Sequence, residues 1–348
     1  MNIKIGNSFI GDGHPAFIVA EMSGNHCGDI NRALEIIRQA KKSGANAIKL
    51  QTYKPETITL KSNKPYFLLD DDKWGESKTL WDLYKEAHTP WEWHKELFEE
   101  ARNVGIEIFS SPFDESAIEL LEKLKCPAYK VASPEINHIP LLEHLAETKK
   151  PIILSSGVAK LTDIELAIDT LRTRGVKDII LLKCNTSYPA PIEESNLLTI
   201  IDIKKRFNVL SGLSDHTIGN VCAISSVALG ASFIEKHFNL SDNLSTVDSF
   251  FSTNSVEFQK LVDDVRLAEK AIGKVDYALS KSASLQTNNM RSIFASKDIK
   301  VGEKLSHLNI KIIRPGQGLH PKHLKNIIGK TVKSDISEGE PLIWSVIS

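Results

Sequence analysis

Gly212-Leu213-Ser214-Asp215-His216-Thr217, followed later by Glu235-Lys236-His237-Phe238, is the stretch on which the fold turns. Each segment follows a short apolar run, Val209-Leu210 for the first and Ser232-Phe233-Ile234 for the second. Ile218–Gly230, between them, reads as a helix. Strand–helix–strand is the unit of a parallel sheet, because parallel neighbours need a crossover long enough to bring the chain back. His216 and His237 then stand at the carboxyl ends of successive strands, the edge of an α/β barrel where chemistry collects. On this reading the two imidazoles share one divalent metal. The competing reading is two unrelated polar residues at strand ends.

Working outward, the same beat recurs along the chain. Phe17–Ala20, Ala45–Gln51, Ile106–Ser110, Ala128–Ala132, Pro151–Leu154 and Asp178–Leu182 read as six more strands. Helical spacing falls between them, as in Ala33, Ile36, Ile37 and Ala40, with Asp29 or Asn31 as cap and Gly44 as stop. Thr89 is expected to cap a helix that Pro90 opens and Gly105 ends. Eight strand–helix repeats predict an α/β fold, a (β/α)8 TIM barrel.

Polar residues are spread unevenly over these repeats. Almost every strand ends in Ser, Lys, Glu, Asn, Tyr or His, which puts the site at the carboxyl face. Along the second strand Lys49 and Gln51 share the inward face, while Ile48 and Leu50 share the other. A buried lysine is costly alone, so Lys49 calls for an anionic ligand or an internal carboxylate; the ligand is the preferred reading. Residues 54–90, with Pro55, Pro65, Asp70-Asp71-Asp72, Trp74 and Trp81, break the rhythm and read as an active-site loop.

The chain divides by texture into a barrel over 1–279, a polar linker over 280–290 and a compact β-like unit over 291–348. That last unit has short runs at 293–295, 309–313 and 342–346, and a rigid turn, Arg314-Pro315-Gly316-Gln317-Gly318. With 43 Lys+Arg against 44 Asp+Glu, the net charge of −1 gives no sign of a nucleic-acid or acidic-membrane partner. No apolar run is long enough to span a bilayer and no apolar signal core follows Lys4. The four scattered cysteines read as reduced thiols of a cytoplasmic protein.

The motifs together carry a resemblance. Glu21…Asn25-His26, Lys49-Leu50-Gln51, Ser110–Phe113, Tyr129–Ser133, Pro151–Gly157, Gly212–Thr217, Glu235–Phe238 and Arg314–Gly318 resemble the sialic acid synthase family over nearly the whole chain. Ala87–His94, Thr246–Ser252 and Thr186-Ser187-Tyr188-Pro189 resemble its pseudaminic acid branch. The resemblance implies a TIM barrel joined to an antifreeze-like (SAF) domain. It implies condensation of phosphoenolpyruvate with the open-chain aldehyde of a 2-acetamido sugar, water adding at C2 and phosphate leaving. For the pseudaminic branch the acceptor is 2,4-diacetamido-2,4,6-trideoxy-L-altrose; the alternative is an acceptor leading to N-acetylneuraminic or legionaminic acid.

The expected site follows from chemistry and resemblance together. Lys49 and Lys130 supply charge for phosphoenolpyruvate, and Ser111, Ser133, Ser155 and Ser214 supply hydroxyls. Thr186 stands where neuraminate synthases carry asparagine and joins that anion site. His216 and His237 hold the metal, Mn²⁺ by resemblance with Mg²⁺ or Co²⁺ as alternatives, which polarises the aldehyde. No third protein ligand is visible, which disfavours a structural zinc. Glu135 is the expected general base, with Glu21 second. Gln51, Tyr188, Asp248 and Arg314 are expected to bind sugar, and Phe113 to form an apolar wall. The resemblance also implies a domain-swapped homodimer, with Arg314 reaching the other subunit's site.

Overall fold

The computed structural model describes residues 1–69, 74, 78–241 and 244–348. The aspartate run Asp70-Asp71-Asp72 lies outside the described residues. By internal contacts the chain forms two units, Met1–Gly273 and Lys274–Ser348.

The first unit opens on an antiparallel hairpin, β1 (Asn2–Ile5) and β2 (Ser8–Gly11). Its Ile3, Ile5 and Ile10 are buried, and Asn7 N donates to Glu107 Oε1 at 2.7 Å. Glu107 starts a barrel strand, so the hairpin covers the amino end of the barrel. This element went unread in the sequence, since four-residue strands carry too little pattern.

Eight parallel strands follow: β3 (Phe17–Glu21), β4 (Ala47–Thr52), β5 (Glu107–Pro112), β6 (Tyr129–Val131), β7 (Ile152–Ser155), β8 (Ile179–Cys184), β9 (Leu210–Asp215) and β10 (Phe233–Asn239). They pair in sequence order, and β10 pairs with β3 as well as β9, which closes the barrel. Apolar runs such as Ile179-Ile180-Leu181-Leu182 are continuous because both faces are covered. Around the barrel packs α1 (Ile30–Lys42), which buries one stripe, Ala33, Leu34, Ile36, Ile37 and Ala40. Asp29 caps it, accepting from Asn31 N at 2.9 Å.

One local expectation holds and one is corrected. The histidine motifs form the carboxyl parts of their strands, β9 running to Asp215 and β10 to Asn239, so His216 and His237 stand at the carboxyl ends of successive strands as expected. The inward polar residues there are tolerated because they pair with one another inside the barrel. Thr89 does not cap a helix; Pro90 precedes a 3-10 turn, Trp91–Trp93, and α-helix begins only at His94. Thr89 Oγ1 instead lies 3.5 Å from His26 Nε2.

The second unit has its own apolar centre, including Ile293, Ile299, Leu305, Ile310, Ile327 and Leu342. Two of the expected runs form an antiparallel pair, Ser292–Ala295 with Ile310–Ile313. The third does not: 342–346 is irregular and ends in a 3-10 turn at Trp344–Val346. The stretch expected as linker carries a short helix, Lys281–Ser284, and Asn288 accepts a hydrogen bond from Gly316 N at 2.9 Å.

Candidate active site

Cross-strand register brings four charged side chains together inside the barrel. Glu21 of β3 lies beside Lys49 of β4, and Ser214 of β9 beside Glu235 of β10. Lys49 Nζ is 2.8 Å from Glu21 Oε2 and 3.5 Å from Glu235 Oε1. Lys130 Nζ, from β6, is 3.5 Å from that same Glu235 oxygen. Ser111 Oγ lies 3.3 Å from Lys49 Nζ, and Ser214 Oγ donates to Glu235 Oε1 at 3.3 Å. Gln51 Nε2 donates to Glu21 Oε1 at 3.0 Å and to Ser23 Oγ at 3.1 Å. The preference for a ligand alone at Lys49 is thereby corrected: the lysine has internal carboxylate partners.

Glu235 was quoted within its motif but given no role from sequence; strand alternation places it inward with His237, which is the signal that could have found it. Burial pushes Glu21 above the ordinary carboxylate range despite Lys49. Burial also opposes the charge on Glu235, but Lys130 and Lys49 outweigh it and hold Glu235 low. Lys130 is pushed down by burial. Of the two carboxylates, Glu21 is therefore the one more readily protonated.

Polar atoms without a hydrogen-bonding partner gather at the same end. They include Ser155 Oγ, Glu135 Oε2, Glu235 Oε2 and His237 Nδ1, all buried. Orphaned buried polar atoms are costly, so such a cluster marks the place of a polar ligand. Glu135 sits on the turn Ser133–Asn137 after β6, and burial raises its pKa to about 7. The hydroxyls of Ser133 and Thr186 both crowd Gly157: a Cβ there would stand 2.8 Å from Ser133 Oγ and 2.0 Å from Thr186 Oγ1. Ser133 Oγ also accepts from Val158 N at 2.9 Å.

The two imidazoles face each other edge to face, ring centroids 5.3 Å apart. Tyr188 stacks at a tilt on His216, 4.5 Å between centroids, and Phe251 on His237 at 4.6 Å. Trp74 lies 5.9 Å from Tyr188. Asp248 is buried with its Oδ2 3.4 Å from Gly24 N, and burial raises its pKa. Asn25 braces this wall, its Nδ2 donating to Phe238 O and Ser252 Oγ, both at 2.9 Å. Phe113, half-buried, packs on Tyr53 at 5.1 Å rather than on the histidines. Arg314 belongs to the second unit and is exposed there. Asp215, next to His216, pairs with Lys236 at 2.8 Å.

The chain matches the NeuB family over residues 36–277 and the SAF domain over 290–347. It belongs to the NeuB family. It is 45% identical over 329 residues to the pseudaminic acid synthase of Helicobacter pylori, covering 94% of this chain and 96% of that protein. It is 44% identical to the pseudaminic acid synthase of Campylobacter jejuni over 94% and 95% of the two chains. Among solved structures it resembles the N-acetylneuraminic acid synthetase of Leptospira borgpetersenii, in complex with citrate, with TM-score 0.72 and 32% identity over 82% of this chain and 95% of that one.

A divalent cation is the group this NeuB-family chain's sequence implies, and the histidines fit it. Asn185 O can only accept, so the 2.8 Å contact puts a proton on His216 Nδ1 and leaves Nε2 as the atom that could meet a metal. Burial opposes charge on His216, but Cys184 and Asn185 O outweigh it and raise its pKa, so a metal at Nε2 would have to displace a proton. His237 is buried, with Nδ1 unpartnered and its pKa held well below the ordinary histidine value by burial, which keeps it neutral as a ligand must be. Among the described residues no group of three or more His, Cys, Asp and Glu side chains assembles, so the remaining positions would fall to water or substrate.

Proposed function

We propose that this NeuB-family chain condenses phosphoenolpyruvate with 2,4-diacetamido-2,4,6-trideoxy-L-altrose and water, giving pseudaminic acid and phosphate. The identity to pseudaminic acid synthases supports the acceptor. The observation that carries the chemistry is the cluster of unpartnered buried atoms around two lysines and two histidines. The two lysines of the Glu21–Lys49–Glu235–Lys130 set supply charge for a small polyanion, and burial, by raising the pKa of Glu21, eases its protonation as the anion binds. The hydroxyls of Ser111, Ser133, Ser155, Thr186 and Ser214 ring that charge.

His216 and His237 would hold a divalent cation, Mn²⁺ in our reading with Mg²⁺ or Co²⁺ as substitutes, whose Lewis acidity lowers the cost of charge on the aldehyde oxygen. Carbon 3 of phosphoenolpyruvate forms the new bond to the aldehyde carbon, whose oxygen takes up a proton; water then adds at the cationic C2, and the C2–O bond to phosphate breaks to release phosphate. Glu135, titrating near neutrality, takes the proton from that water through Oε2. Gln51, Tyr188 and Asp248 hold the sugar, with Phe113 at the apolar margin. Arg314 completes the site from the SAF domain of a second subunit, which makes the working form a domain-swapped homodimer. Among the described residues no disulfide forms, which suits a reducing cytoplasm. Among the described residues no helix is long and apolar enough to cross a membrane.

The test is phosphate release from phosphoenolpyruvate with Mn²⁺, offering the altrose sugar and N-acetylmannosamine in parallel. Turnover with the altrose sugar alone supports the reading. Turnover with N-acetylmannosamine instead keeps the chemistry and moves the acceptor to the neuraminate type. No phosphate from either, with Mn²⁺ bound, overturns the assignment.

A further inference from the structure

Lys236 is the one charged residue in the middle of β10 that does not face the barrel's interior cluster. Its neighbours Glu235 and His237 point inward, and alternation turns Lys236 to the opposite face, alongside Ile234 and Phe238. That face packs against the helices and is apolar. Lys236 is buried there to 2% exposure, as is Asp215. An ion pair placed in an apolar layer contributes little net stability, so its presence calls for another reason.

The hydrogen bonds supply one. Lys236 Nζ donates to Asp215 Oδ2 at 2.8 Å and to Thr217 O at 2.7 Å. Asp215 Oδ1 accepts from Thr217 N at 3.0 Å and from Thr217 Oγ1 at 2.7 Å. Both residues flanking His216 are thus tied to one ammonium on β10, next in sequence to His237. Strand register repeats the arrangement, since Asp215 and Lys236 are direct cross-strand partners. His216 is further held by Asn185 O at 2.8 Å from its ring and by Ala190 N at 2.9 Å to its carbonyl. β10 itself is fixed by β3 through His237 opposite Glu21.

We infer that Asp215, Thr217 and Lys236 form a positioning strut outside the barrel wall that sets the spacing of the His216 and His237 imidazoles. These residues touch neither substrate nor metal; they act through the two histidines. The inference rests on the reading of His216 and His237 as a metal pair. It deepens that reading by naming what makes a two-histidine site bind at all, where only two protein ligands must be held at one separation.

The experiment is Mn²⁺ binding to the full-length chain, read from the electron paramagnetic resonance signal of free Mn²⁺. Parent, His216→Ala, Lys236→Met and Thr217→Val proteins are compared, with circular dichroism to establish that each is folded. The strut requires Lys236→Met to weaken Mn²⁺ at least tenfold while phosphoenolpyruvate affinity without metal changes less than twofold. A merely structural lysine would lower thermal stability and leave Mn²⁺ affinity alone. Folded Lys236→Met with parental Mn²⁺ affinity overturns the inference while leaving the metal pair standing. Where Lys236→Met does not fold, Thr217→Val decides, since it removes one hydroxyl bond only: weakening by threefold or more supports the strut, and parental affinity overturns it. Equal Mn²⁺ binding by parent and His216→Ala removes the metal pair and the strut with it.

Discussion

Glu135 stands where a single titration has two separate readouts. Its carboxyl is buried and unpartnered at Oε2, and its pKa is raised from 4.5 to about 7. An acid with a raised folded pKa binds a proton in the native state that the unfolded chain has already released. Stability therefore falls as pH rises from the unfolded value to the folded one, and stays lowered above it. The effect is about 3 kcal/mol for this shift. Glu135→Gln keeps the shape and removes the ionisation. It should be more stable than the parent at pH 8, by up to that amount, and no different at pH 4, in denaturant melts at the two values. The same variant should lose about 10²–10⁴-fold in kcat, with little change in metal affinity. Equal stability differences at both pH values would remove Glu135 as a buried, titrating acid.

At the scale of elements, the connection from β7 to the helix Leu161–Thr173 shows how the strand ends are packed for a ligand. Gly157 follows β7, and a methyl group there would meet Thr186 Oγ1 at 2.0 Å, Ser133 Oγ at 2.8 Å and Cys184 Sγ at 3.0 Å. Two of these atoms are expected to hold phosphoenolpyruvate. Gly157→Ala should raise KM for phosphoenolpyruvate about tenfold, the worth of one displaced hydrogen bond, and leave KM for the sugar near parental. Initial rates with each substrate varied in turn check this; a rise confined to the sugar would reassign the loop. Elements of this kind were legible in sequence because each apolar strand run ends abruptly in polar residues, and eight such endings can meet only at one face of a barrel. What was not legible was partnership. Lys49 reads the same in sequence whether it awaits a ligand or sits between Glu21 and Glu235, since its carboxylates come from strands far apart in the chain. Thr89 followed capping rules that a 3-10 turn at Trp91–Trp93 overrode. Asp215 and Lys236 read as ordinary members of polar motifs, and only the register shows them opposite one another.

At the scale of the whole molecule, the barrel carries the lysines, the histidines and Glu135, while Arg314 belongs to the SAF unit. The domain-swapped dimer we propose would make each working site depend on two chains, and that dependence would separate it from a self-sufficient monomer. His216→Ala spoils the barrel part of a site and Arg314→Ala the SAF part. Mixed by co-expression, the two inactive chains form some heterodimers. In each heterodimer one site receives both defects and the other receives neither. Random pairing should then restore about a quarter of parental sites, read as phosphate release per chain. If each chain instead uses its own SAF unit, every site in the mixture keeps one defect and no activity returns. Size-exclusion chromatography with light scattering on the same mixture fixes the fraction of dimers. Dimers without restored turnover would mean that the subunits associate but do not share their sites.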